Sequence, residues 1–117
     1  MPSFKDFEKI ADFLEEQSRT LPQSQREVAL RRAISTIYYG VFWELRNRLK
    51  HRGYKIRKRQ PHSTIVGVLE KINPKASKLF LQLKGLREIA DYQQDSEIDL
   101  DLFKSSKLLA KLILKEV

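Results

Sequence analysis

The sequence predicts an all-α protein, an up-and-down helical bundle of about five helices, and three observations lead there. Apolar residues recur three and four positions apart along nearly the whole chain. No stretch alternates apolar and polar with the period of a strand. Proline breaks and polar turns cut the pattern into five amphipathic pieces. With 117 residues, 41% of them hydrophobic, the chain has material for one core and reads as a single domain over 1–117.

Ser3 is positioned to cap a first helix that runs to about Gln17, with Phe4, Phe7, Ile10, Ala11 and Leu14 on one stripe. Leu21-Pro22 punctuates. The second helix, from about Ser24 to about Lys50, is the longest. Its apolar stripe is Leu30, Ile34, Ile37, Tyr38, Val41, Phe42, Leu45 and Leu49. Tyr39 and Trp43 lie about a hundred degrees from that stripe, so they are expected at the surface of one copy and inside a helix-two interface of a homodimer. Gly53 and the cationic segment to Pro61 form a loop. Ser63 is expected to cap a third helix carrying Ile65, Val66, Leu69 and Ile72, which Asn73-Pro74 ends. A fourth runs from about Pro74 to about Tyr92 on Leu79, Phe80, Leu83, Leu86, Ile89 and Ala90. Gln93 to Asp99 is polar, and a last helix carries Leu102, Phe103, Leu109, Leu112 and Ile113.

Composition removes several classes of function. The chain has no cysteine, which excludes disulfides and thiol-ligated metal and fits a reducing compartment. Two histidines do not make a dedicated metal site. No apolar run is long enough to span a bilayer, and the first residues lack the pattern of a secretion signal. The expected location is cytoplasmic, with no membrane partner and no cofactor.

The net charge of +8 is segregated. From Leu45 to Leu69 there is no acid, but Arg46, Arg48, Lys50, Arg52, Lys55, Arg57, Lys58 and Arg59 with both histidines. From Glu88 to Phe103 there is no base, but Glu88, Asp91, Asp95, Glu97, Asp99 and Asp101. In an up-and-down bundle the loops after helices two and four share one end, so the basic and acidic segments are expected to attract one another there, with positive charge left over. Tyr54 and His51 sit among the cations, where aromatic faces can stack on unpaired bases. RNA or an acidic protein surface would each satisfy this charge, and of the two RNA is the expected partner. A solvated charge run is the plainer alternative. The basic residues concentrate in a loop, which does not suit a groove-reading recognition helix.

Three motifs in order resemble the HEPN family. Arg31-Arg32-Ala33-Ile34-Ser35-Thr36-Ile37-Tyr38-Tyr39-Gly40-Val41-Phe42 is similar to the second helix of small prokaryotic HEPN proteins. Pro61-His62-Ser63-Thr64-Ile65-Val66 resembles the start of their third, and Leu86-Arg87-Glu88-Ile89-Ala90-Asp91-Tyr92 the "ADY" close of their fourth. The resemblance implies a helical bundle that pairs as a homodimer. It also implies a minimal nucleotidyltransferase as neighbour and partner in a toxin–antitoxin pair. In its active members it implies an endoribonuclease that uses no metal. Such enzymes rely on an Arg and a His from both subunits in a shared cleft. Their chemistry needs only an imidazole to move the 2′-OH proton and a guanidinium to hold the phosphorane charge.

Several residues compete for those roles. Arg87 matches the family's arginine, but no histidine follows it; Asp91 and Tyr92 stand there instead. Arg87 and Asp91 four apart can also form a plain helical ion pair, and an unperturbed phenol is a poor base at neutral pH. His62 can supply the missing imidazole if its ring and the Arg87 guanidinium face one cleft; otherwise it packs or caps a loop. Arg46-Asn47 with His51 reproduces the nuclease motif letter for letter. It closes helix two rather than a later helix, where cations simply offset the helix dipole. A degenerate HEPN subunit that binds RNA or nucleotide without cutting is the alternative reading.

Overall fold

The protein is described by a computed structural model covering residues 2–117; Met1, the head of the stretch read for a leader, lies outside the described residues. Five helices follow one another: α1 (Phe4–Ser18), α2 (Gln23–His51), α3 (Pro61–Ile72), α4 (Pro74–Tyr92) and α5 (Leu100–Glu116). Among the described residues there is no strand. Nor, among the described residues, is any helix long and apolar enough to cross a membrane.

The 29 residues of α2 span about 43 Å at 1.5 Å per residue, most of the molecule's 47 Å long dimension. All eight residues of its expected stripe are buried, and the other helices pack around it. Helix α1 lies antiparallel. Asp6 accepts a hydrogen bond from the Ser3 N–H at 2.8 Å, and Glu44 of α2 accepts one from the Phe4 N–H at 3.2 Å, placing negative charge at the positive end of α1. The inward stripe of α1 contains Ala11 and Ser18, both fully buried, whereas Ile10 is 56% exposed. Small residues won because the two helices approach closely. A methyl group built on Gly40 would come 2.7 Å from Phe7 Cβ.

The connection from α2 to α3 departs from the expected up-and-down order. Residues 52–60 double back, so that His62 at the start of α3 stacks on Phe42 in the middle of α2. The far end of α3 reaches the α5 terminus, where Asn73 Nδ2 donates to Glu116 O at 3.2 Å. Arg48 and Arg52 of α2 reach the same terminus. Helices α2 and α3 therefore run in one direction, and α4 returns antiparallel to both. Proline explains part of this. Pro61 starts α3, Gln60 before it adopts a left-handed backbone, and Ser63 lies inside the first turn instead of capping it.

One consequence is that the acidic and basic segments do not meet. The basic loop leaves α2 at His51, twenty residues or about 30 Å along the helix from Arg31. The acidic segment lies beside Arg31. The Arg31 guanidinium donates to the carbonyls of Ile89 (3.1 Å) and Ala90 (2.9 Å), which closes the end of α4, and to that of Ser96 (2.5 Å) in the acidic connection. Among the described residues no ion pair joins the two segments.

On α5 the buried stripe is Phe103, Ser106, Ala110 and Ile113. The expected Leu112 is 40% exposed, and Leu102 and Leu109 are only partly buried. Ile72 at the end of α3 is likewise exposed.

Replacing Gly40 by alanine inserts a methyl group into the closest α1–α2 contact. A loss of about 1–3 kcal/mol is expected for overpacking of this kind, read as a melting temperature lowered by several degrees. An unchanged melting temperature would show that α1 moves aside without cost.

Candidate functional site

Tyr38 lies on the core stripe of α2 and is fully buried, so its hydroxyl needs a partner inside the protein. It meets Nδ1 of His62 at 2.5 Å. Burial pushes the Tyr38 phenol well above its ordinary pKa, against the pull of the Arg87 charge, and the hydroxyl keeps its proton. The His62 ring stacks on Phe42, with centroids 4.3 Å apart, and lies nearly parallel to Tyr38 at 5.6 Å. Burial, then the positive charges of Arg87 and Lys84, hold the imidazole below its ordinary pKa. His62 is thus a neutral imidazole at pH 7.

Arg87 approaches Tyr38 from α4. The buried stripe of that helix is Phe80, Leu83, Arg87 and Ala90, so a guanidinium occupies a slot where the periodicity calls for an apolar side chain. It is only 7% exposed. Its central carbon lies 4.9 Å from the Tyr38 ring centre, 5.5 Å from that of Tyr39 and 5.8 Å from that of Tyr92. These contacts return part of the hydration the cation has lost. Nη1 donates to Asp91 Oδ2 at 3.4 Å and to the Tyr92 hydroxyl at 3.3 Å. Both bonds are long, and the buried Nε has no partner. Although burial opposes the charge, the tyrosines and Asp91 outweigh it and leave the pKa of Arg87 raised. Asp91 is held in turn by the Ser35 hydroxyl at 3.2 Å.

His62 from α3 and Arg87 from α4 therefore meet on one tyrosine of α2. The helical ion pair between Arg87 and Asp91 exists, but the arginine points inward. Beside this cluster, between the first half of α2 and the end of α4, lies a cleft of about 740 Å³. Its walls include Arg32, Ser35, Tyr39, Asp91 and Tyr92, three of which touch Arg87.

Within one copy of the chain the residues of the rival motif stand apart from this cluster. Arg46 and His51, five apart, project about 140° from each other around α2. The Arg46 guanidinium covers Trp43 at 5.2 Å, His51 is exposed at the helix end, and Asn47 is half-buried without a recorded side-chain bond to either. Among the described residues no hydrogen bond or ion pair joins any of the three to His62 or Arg87.

The eight cations are also not equivalent. Arg48 pairs with Glu44 at 3.2 Å and donates to Leu114 O at 2.8 Å, while Arg52 donates to Val117 O. Both neutralise the negative end of α5. Lys50, Lys55, Arg57, Lys58 and Arg59 are exposed and have no carboxylate partner among the described residues. Tyr54 stands among them, 37% exposed. Trp43 is exposed to the same degree, as its angle suggested, whereas Tyr39 is half-buried.

Sequence reasoning placed Tyr38 in the core but missed its place between imidazole and guanidinium. The available signal was Arg87 itself, seven residues after Phe80 on the apolar stripe of α4. Among the described residues no cluster of side chains suits a metal ion. No family model matches the chain, and neither a curated protein nor a solved structure matches it.

Because His62 is held below its ordinary pKa, the unfolded chain takes up a proton that the native protein refuses. Stability is then complete above pH 6.5, the unperturbed value, and falls as pH drops below it toward the lowered native pKa. The pH dependence of the melting temperature between pH 7.5 and about pH 5 should show this slope, and His62→Gln should flatten it. An equal slope in both proteins would mean that His62 is as easily protonated folded as unfolded.

Proposed function

We propose that this chain is an RNA-binding protein of the HEPN type that cleaves RNA without a metal, with His62 and Arg87 as the reacting pair. The observation that supports it is the convergence of both groups on Tyr38. The imidazole that α4 lacks after Arg87 comes from α3. The Tyr38–His62 bond would hold the ring in place through both proton movements of the reaction. With Nδ1–H donating to Tyr38, Nε2 is free to take the proton of a 2′-OH as that oxygen attacks phosphorus. The imidazolium so formed then gives that same Nε2 proton to the departing 5′-oxygen, which returns the ring to its neutral form with Tyr38 still protonated. The products are a 2′,3′-cyclic phosphate and a free 5′-hydroxyl. Arg87 would stabilise the charge on the phosphorane; its long hydrogen bonds and idle Nε leave it donors to spare. The unpaired cations of the 52–60 loop supply the sequence-independent affinity for phosphates.

In this reading the protein works as a cytoplasmic homodimer, with Tyr39 and Trp43 of α2 at the contact, and as the toxin of a pair whose other member is a minimal nucleotidyltransferase. A second reading, a binding module that does not cut, is favoured by one fact. Arg87 is nearly buried and already engaged by Asp91.

Purified protein incubated with total tRNA in EDTA separates them. Cleavage to cyclic-phosphate ends, lowered about a hundredfold or more by His62→Asn and by Arg87→Ala, is the expected result. Intact RNA at protein excess, with binding that weakens as salt rises, would leave the binding module. Activity lost with His51→Ala but kept with His62→Asn would transfer the chemistry to the end of α2.

A further inference from the structure

A second cleft, of about 340 Å³, lies between the basic loop and the outer face of α3. The loop contributes Tyr54 and Arg57; α3 contributes Ser63, Gly67 and Lys71. His62 turns the opposite way, into the bundle. Among the described residues neither Arg57 nor Lys71 has a carboxylate partner, and no hydrogen bond occupies the Ser63 hydroxyl. Among the described residues the Tyr54 ring has no aromatic or cationic neighbour stacked on it, in contrast to Tyr38, Tyr39 and Trp43.

Gly67 sharpens the point. It sits in the middle of α3, where glycine is the weakest helix former after proline. Its backbone does not require glycine, since only Gly53 among the glycines has a positive φ. Packing does not require it either, because an added methyl group would meet nothing within 4 Å. As a lining residue without a side chain, it leaves its part of the cleft open.

We infer that this cleft holds one unpaired nucleotide of a single-stranded RNA, with the base against Tyr54 over Gly67 and the flanking phosphates on Arg57 and Lys71. Flat aromatic surface, open floor and paired cations suit a base and its phosphates, whereas an acidic protein segment would use the cations and leave the ring idle. The inference rests on the RNA-binding reading above and adds to it a defined subsite, separate from His62 and Arg87. A strand anchored here enters the molecule at the start of α3, the helix that carries His62.

The test uses the full chain, a short fluorescent oligouridylate and a hairpin of the same length, with binding followed by anisotropy. Tyr54→Ala should weaken oligouridylate binding about tenfold or more, and Tyr54→Phe should restore it. Gly67→Leu should weaken it similarly while raising the melting temperature by a few degrees, a combination that damage to the fold cannot produce. Oligouridylate binding unchanged in both Tyr54→Ala and Gly67→Leu, but lost in Lys58→Glu, would overturn the subsite and leave RNA binding standing. No binding by the unaltered protein at low salt would overturn the RNA reading itself. Polyglutamate competing as well as oligouridylate, or the hairpin binding more tightly, would show that the cleft takes no unpaired base.

Discussion

A buried phenol hydroxyl organises the centre of this protein. Tyr38 is fully enclosed by the bundle, and a hydroxyl left there without a partner would cost on the order of 1–3 kcal/mol. The partner comes from α3, through His62. That requirement draws the start of α3 to the middle of α2 and makes the 52–60 loop double back. The same ring presents its face to Arg87, so α2, α3 and α4 are keyed to one side chain. The cluster is electrostatically consistent: a proton-bearing phenol, a neutral imidazole and a guanidinium held charged by its aromatic shell.

The doubling back has a second effect. It takes the cationic loop along the outside of α3 and away from the acidic connection, leaving Lys55, Arg57, Lys58 and Arg59 uncompensated within the chain. Charge that is unpaired on one exposed segment remains available to a partner. The loop and the Tyr38 cluster lie on either side of the same short helix. The chemistry proposed for one and the binding proposed for the other are therefore joined by α3.

Where hydrophobicity alone decides burial, the sequence was readable. The stripe of α2 is buried at every expected position, and the Asn73-Pro74 boundary stands, with the Asn73 side chain accepting from the Ala76 N–H at 3.1 Å. Reading failed where small residues set the packing. Ala11, Gly40, Ser106 and Ala110 let helices approach closely, and they displaced Ile10 and Leu112 to the surface. The direction of α3 was not legible, since a nine-residue loop can turn or return. At the candidate site, periodicity placed Tyr38 inside, and the motif singled out His62, Arg87, Asp91 and Tyr92. The contact between the two halves depends on that illegible return. Arg46 and His51 carry the letters of the motif at the end of α2, where among the described residues neither is bonded to the Tyr38 cluster.

Arg31 holds the opposite corner of the molecule chiefly through carbonyl oxygens of Ile89, Ala90 and Ser96, with Glu27 as its one carboxylate. Peptide oxygens do not titrate in the range that protonates Asp and Glu. The clasp between α2, the end of α4 and the acidic connection therefore survives acidification that would dissolve ordinary ion pairs. Acid should loosen the His62 side of the bundle while this joint stays shut.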